Sequence, residues 1–142
     1  MGYTGQPVRR FEDARLVSGQ GSYVDDIKIP GMLHAAFLRS PHAHARIRSV
    51  DVAAAQEMPG VEVVLTGEDI LGIVPDLPTR SMSGEWEVDE FNAPEHPALA
   101  VGKVSYVGQT VAVVVAQDPG QARDALEMIQ VDYEPLPVGL DP

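Results

Sequence analysis

The run Val111–Ala116 constrains this chain more than any other stretch of its 142 residues. It is a continuous apolar segment without polar alternation, so the strand it forms is expected to be covered on both faces. Asp118-Pro119 follows, an N-cap with proline at the first helical position, and Gln121 completes a capping box. Ala122, Ala125, Leu126 and Ile129 then recur at i, i+3, i+4 and i+7, one face of a helix. Val131 and Tyr133 alternate into a last strand before Pro135. Upstream, Val104 to Val107 reads as strand. Gly108 reads as a bend that favours positive φ and is the backbone-critical residue here, an ordinary strand glycine being the alternative. A strand–helix–strand order of this kind needs helix packed on sheet.

The same order recurs earlier. Leu33 to Leu38 suits a strand that Pro41 ends, and Asp51 caps the helix-favouring run Ala53 to Glu57. Pro59-Gly60 stops that helix, and Val61 to Leu65 forms a short strand. Thr66 with Asp69 is a second capping box, opening a helical turn over Glu68 to Leu71. Between the two units lies a long acidic excursion, 72–98, with Pro75, Pro78, Pro94 and Pro97 and a dense acidic group from Glu85 to Glu90. Loops of that length in a compact domain are functional or pack on a partner, and Trp86 and Phe91 want a surface to cover. The first thirty residues carry little period. Gly19, Gly21, Pro30 and Gly31 punctuate them, which reads as an extended arm, 1–32, lying against something else. The expected fold is α+β: two strand–helix–strand units on one mixed sheet, residues 33–142, with the arm in front.

Charge narrows the function. The chain has net charge −11, which argues against a phosphate-backbone partner and hence against nucleic acid. The excess is uneven: residues 1–50 hold seven basic and four acidic side chains, the remainder three and seventeen. Such asymmetry marks either an interaction surface or a solubilising face. With no cysteine, disulfides, thiolate metal sites, iron–sulfur ligation and a thiol nucleophile are excluded. No apolar run approaches the roughly 20 residues of a membrane span, and the start lacks a signal-peptide pattern. A soluble cytoplasmic domain is expected.

Local motifs supply little chemistry. Gly19-Gln20-Gly21 fails as a dinucleotide fingerprint because position 24 is Val and no strand leads into it. His42 and His44 would share a face if extended, with His34 nearby, but Pro41 interrupts the segment and metal sites need three or four ligands with second-shell support. Asp25-Asp26 reads as a turn and Glu85 to Glu90 as a solvated loop, and no Ser–His–Asp arrangement is present. No catalytic, cofactor-binding or metal residue is assigned.

Six ordered blocks go further. Residues 10–26 (RFEDARLVSGQGSYVDD), 39–47 (RSPHAHARI), Pro59-Gly60-Val61, Thr66-Gly67-Glu68-Asp69, 104–109 (VSYVGQ) and 133–137 (YEPLP) together resemble the opening of the large subunit of molybdenum hydroxylases, the family of xanthine dehydrogenase, aldehyde oxidase and carbon monoxide dehydrogenase. The resemblance spans nearly the whole chain, the acidic excursion apart, and implies an N-terminal α/β-hammerhead domain. It implies a parent that hydroxylates a carbon centre with oxygen from water, using molybdenum on a pterin dinucleotide, with iron–sulfur centres and FAD on partner subunits or domains. The pterin-holding stretches and the glutamate base of that family belong to a larger following region. No catalytic residue is therefore carried onto this chain, and the expected role is a scaffold cut near a domain boundary, inactive alone. Two other readings compete: a freestanding protein-binding or assembly module built on the same domain, and a small metal-dependent enzyme using His34, His42 and His44.

Overall fold

The computed structural model describes residues 4, 5, 7, 10–77 and 95–139. The chain divides into two compact units, Met1–Met32 and Leu33–Pro142.

The first unit contains more regular structure than its sequence suggests. A short helix α1, Asp13–Val17, starts where the Asp13 carboxylate accepts the Arg10 N–H at 3.1 Å. It ends at Gly19, whose φ of 74° lets the Gln20 N–H turn back to the Arg15 carbonyl at 2.9 Å. A one-turn 3-10 helix covers Val24–Asp26, with the Asp26 carboxylate accepting the Tyr23 N–H at 2.9 Å. None of the described residues in this unit is buried. Within its described residues this unit holds the five-residue helix and the one-turn 3-10 helix.

In the second unit the elements are β1 (His34–Arg39), β2 (Ala45–Asp51), α2 (Ala53–Gln56), β3 (Val61–Thr66), α3 (Gly67–Ile70), β4 (Lys103–Val104), β5 (Thr110–Ala116), α4 (Pro119–Glu127) and β6 (Gln130–Pro135). The α+β class stands, but the single mixed sheet does not. There are two three-stranded sheets, ordered β1-β5-β3 and β4-β2-β6, and every pairing in them is antiparallel. The difference comes from β2, a strand that the sequence pattern does not announce. Its segment ARIRSVD points Arg46 and Arg48 outward, and a bulge between Ile47 and Ser49 breaks the period of two. Once β2 exists, the last strand pairs with it, Arg46 opposite Glu134, instead of joining β5.

Helix α4 packs on β1 and β5 and touches α2. The main core holds Ala55, Val64, Ala112, Val114, Ala125 and Ile129, and a second cluster holds Ala45, Ala100, Val104 and Val111. Val50 and Val131 pack against both clusters and so tie the two sheets together. The many alanines let helix and sheet backbones approach closely.

Capping follows the sequence in part. Asp51 Oδ1 accepts the Ala53 N–H at 3.0 Å, Asp69 Oδ2 accepts the Thr66 N–H at 2.7 Å, and Asp118 Oδ1 accepts the Gly120 N–H at 2.7 Å. The capping box at Gln121 is not formed. That side chain turns instead toward Gly60, where φ is 81° and an added Cβ would overlap the Gln121 amide. The Val104–Val107 strand shortens to Lys103–Val104 because Tyr106 to Gln109 makes a turn closed by the Gln109 N–H on the Tyr106 carbonyl. At the foot of the acidic excursion the Leu77 N–H donates to the His96 carbonyl at 2.8 Å. The acidic group Glu85 to Glu90, Trp86 and Phe91 lie outside the described residues.

Candidate functional site

Two of the motif blocks meet. After β1, Arg39 Nη1 donates to the Gly108 carbonyl at 2.9 Å, the Ser40 N–H donates to the Gln109 carbonyl at 2.9 Å, and the Gly108 N–H donates to the Ser40 carbonyl at 2.8 Å. Ser40 Oγ accepts the His42 N–H at 3.0 Å, and Gln109 Oε1 accepts the Ser105 N–H at 2.7 Å. Ser40 is 2% exposed and Gln109 6%. A buried polar group without a partner costs about 1–3 kcal/mol. Both side chains have partners here, and those partners are backbone groups of the loops themselves. Their chemistry is that of a clasp holding residues 39–44 against 105–109.

Gly108 sits in the third position of the Tyr106–Gln109 turn with φ 88° and nothing within 4 Å of where a Cβ would be. A type II turn requires positive φ at that position. The expectation of a backbone-critical bend holds, and the reason is conformation, not space.

The histidines are engaged separately. His44 Nδ1 lies 2.8 Å from the Pro137 carbonyl, an acceptor, so that nitrogen carries the proton. His42 packs its ring on Tyr133, centroids 4.8 Å apart at 59°. Burial raises the Tyr133 phenol above its ordinary range, while the Ser40 hydroxyl opposes the shift. His34 stands on β1 opposite Ala116. Among the described residues no group of three or more His, Asp or Glu side chains could hold a metal ion.

Gly19 and Gly21 form the exit of α1, and an added Cβ on Gly21 would come within 2.9 Å of Leu16 Cδ2. They serve a helix end. Asp25 and Asp26 lie in the one-turn helix, as a turn reading requires.

One cleft of about 280 Å³ opens between β2, the start of α3 and residues 100–102, lined by Ile47, Arg48, Thr66, Glu68 and Val101 among others. Gly67 also lines it, and an added Cβ there would strike the Ala100 carbonyl and lie 2.8 Å from Val101 Cγ2. Arg48 at its edge pairs with Glu134 at 3.3 Å, and Arg46 reaches the same carboxylate at 3.4 Å. This cross-strand charge pair was invisible in the sequence because it depends on a register spanning most of the chain. Small-molecule pockets typically occupy roughly 300–1,000 Å³ with several convergent polar groups. Among the described residues, neither this cleft nor the separately engaged histidines fit a molybdenum–pterin group.

The chain is similar to known proteins over nearly its whole length. The family model described as aldehyde oxidase and xanthine dehydrogenase, a/b hammerhead domain, matches residues 18–137. The 6-hydroxypseudooxynicotine dehydrogenase complex subunit gamma of Paenarthrobacter nicotinovorans is 44% identical over 99% of this chain, which covers 18% of that protein. The carbon monoxide dehydrogenase large chain of Afipia carboxidovorans is 46% identical over 94% of this chain and 15% of its own length. Quinoline 2-oxidoreductase from Pseudomonas putida 86 superposes with a TM-score of 0.79 at 45% identity, covering 92% of this chain and 16% of that one. The chain therefore spans less than a fifth of these relatives. It belongs to the a/b hammerhead domain family of aldehyde oxidase and xanthine dehydrogenase.

Proposed function

We propose that these residues are the structural hammerhead domain of a molybdenum hydroxylase large subunit, an oxidoreductase polypeptide whose catalytic machinery lies in sequence outside them. One observation carries the reading: a family match over residues 18–137 in a chain that spans only 15% of a carbon monoxide dehydrogenase large chain and 17% of a xanthine dehydrogenase molybdenum-binding subunit. The interlocked loops support it, since the polar groups of residues 39–44 and 105–109 are spent on holding backbone in place. When bound in the parent, molybdenum on a pterin dinucleotide would supply the redox chemistry. This domain's own residues would supply a rigid body for the rest of the subunit, and iron–sulfur and FAD partners would carry electrons away. The division into an arm, 1–32, and a hammerhead body, 33–142, belongs to the same proposal, as does a cytoplasmic location. Among the described residues no helix is long and apolar enough to cross a membrane.

The test is to express the complete reading frame that encodes this segment and assay the purified protein for molybdenum and pterin dinucleotide. Oxidation of carbon monoxide, xanthine, an aldehyde and an N-heterocycle is then measured with an artificial electron acceptor. Stoichiometric molybdenum with turnover of one class supports the proposal. A reading frame confined to these residues, or a folded product free of molybdenum and pterin, would overturn it.

A further inference from the structure

In the sheet ordered β1-β5-β3, residues directly opposite each other share a face. Leu38, Ala112, Val114 and Val64 lie on the face covered by α2 and α4. The registers Ala35↔Val115↔Val63 and Phe37↔Val113↔Leu65 define the other face. Every side chain in these two rows is apolar, and no charge interrupts them. Phe37 is 49% exposed and Val63 39%, and even the central-strand residues Val113 and Val115 are only half-buried.

An antiparallel sheet with one solvated face alternates apolar and polar residues along each strand. Strand β5 does not alternate, and its neighbours contribute Phe37, Val63 and Leu65 to the open side. The sequence is thus written for a sheet covered twice, while the elements of this unit cover it once. A contiguous apolar patch of this kind marks an interaction surface. Within these two rows the composition is aliphatic and aromatic, with Arg39 at their edge on β1 turned to the Gly108 carbonyl, and matches an obligate interior more than a transient, polar-rimmed contact.

We infer that the Ala35–Phe37–Val63–Leu65–Val113–Val115 face is the seat of a further domain of the same polypeptide. The occupant follows from length: this chain spans 18% and 15% of two relatives, so most of such a polypeptide lies outside these residues. The inference rests on the proposed function for that additional sequence, and goes beyond it by naming the surface. The β2-side cleft and the Arg46–Arg48–Glu134 cluster take no part.

The experiment uses the complete polypeptide with Phe37 replaced by the photoreactive p-benzoylphenylalanine, irradiated and digested for mass spectrometry. A cross-link to a peptide of the same polypeptide outside residues 1–142 is expected. In parallel, the thiol introduced by Ala35→Cys should react with N-ethylmaleimide at least ~10-fold more slowly in the native protein than in urea, because modification then waits on local opening. That protection should not change on dilution. A cross-link to residues 1–32, to residues 78–94, to a second copy or to a partner subunit overturns the inference, and so does a native A35C rate equal to the rate in urea. Molybdenum content of the same preparations separates the two readings. A metal-loaded enzyme with an open face refutes the docking surface alone, whereas an absent metal refutes the parent function.

Discussion

Replacing Gly108 by alanine should destabilise the chain by about 1 kcal/mol, and the reason can be separated from crowding. The site has φ 88° and no atom within 4 Å of an added Cβ, so no contact opposes the methyl group. What opposes it is the left-handed conformation, which costs an L-residue roughly 1–2 kcal/mol. Loss of unfolded-state entropy on removing glycine returns about 0.4–1 kcal/mol of this. With a urea m-value of about 2 kcal/mol/M, the net effect is a midpoint shift of about 0.5 M. Asparagine tolerates this conformation, so Gly108→Asn should recover most of the loss. Gly67 is the control. Its φ is not positive, but an added Cβ meets the Ala100 carbonyl, a backbone atom that cannot swing aside. Gly67→Ala should cost about 1–3 kcal/mol by overpacking, and Gly67→Asn at least as much. Urea unfolding followed by circular dichroism measures all four variants. The reasoning fails if G108A is neutral, or if G108N is as damaging as G108A while G67N is milder than G67A.

Three further outcomes are expected. Val114 is fully buried in the main core, so Val114→Ala should cost about 2–3 kcal/mol from lost transfer energy and the cavity left behind. A calorimetric Tm lowered by less than about 2 °C would contradict that packing. Thr66 donates from its N–H and its hydroxyl to the Asp69 carboxylate, both at 2.7 Å, and holds that carboxyl below its ordinary 3.8. A depressed carboxyl stabilises the fold above the unfolded value, and the contribution fades as pH falls through the folded one. In an NMR titration, Thr66→Val should move Asp69 back toward 3.8; an unchanged midpoint would dismiss the hydroxyl as the cause. Tyr133 is shifted the other way, above 10.0, by burial. Its contribution to stability is complete below the unfolded value and declines as pH rises toward the folded one. Ultraviolet titration should show a tyrosine ionising above 10.0, and Tyr133→Phe should remove that late step.

Much of the α4 region could be read directly. The Asp118-Pro119 start, the Ala122–Ala125–Ile129 stripe and the following strand are local patterns, and they form as written, whereas β5 forms its strand but is buried on one face only, Val113 and Val115 on the other staying partly exposed. Gly108 was legible for the same reason, since a positive-φ turn is settled by four adjacent residues. Gln121 was misread because a capping pattern is only a local opportunity. Its amide lies against the Pro59-Gly60 turn instead, where Gly60 leaves room for it. In the candidate site the motif blocks were visible, but not that they clasp each other. Arg39 and Gly108 are 69 positions apart, and no local signal links them.

What the sequence determined by itself is therefore the apolar, double-faced character of β5, the helix that covers one side of it, and the absence of thiol chemistry from a cysteine-free chain. The tertiary structure alone decided that there are two sheets. The bulge at Ile47/Ser49 hides β2 from periodicity, and the strand's stability comes from pairing with residues 130–135, far along the chain. It alone decided, too, that Ser40 and Gln109 are satisfied by backbone groups. The physical reason is common to both. Propensity and period act over a few residues, whereas strand pairing and burial of polar groups depend on which distant segment arrives to meet them.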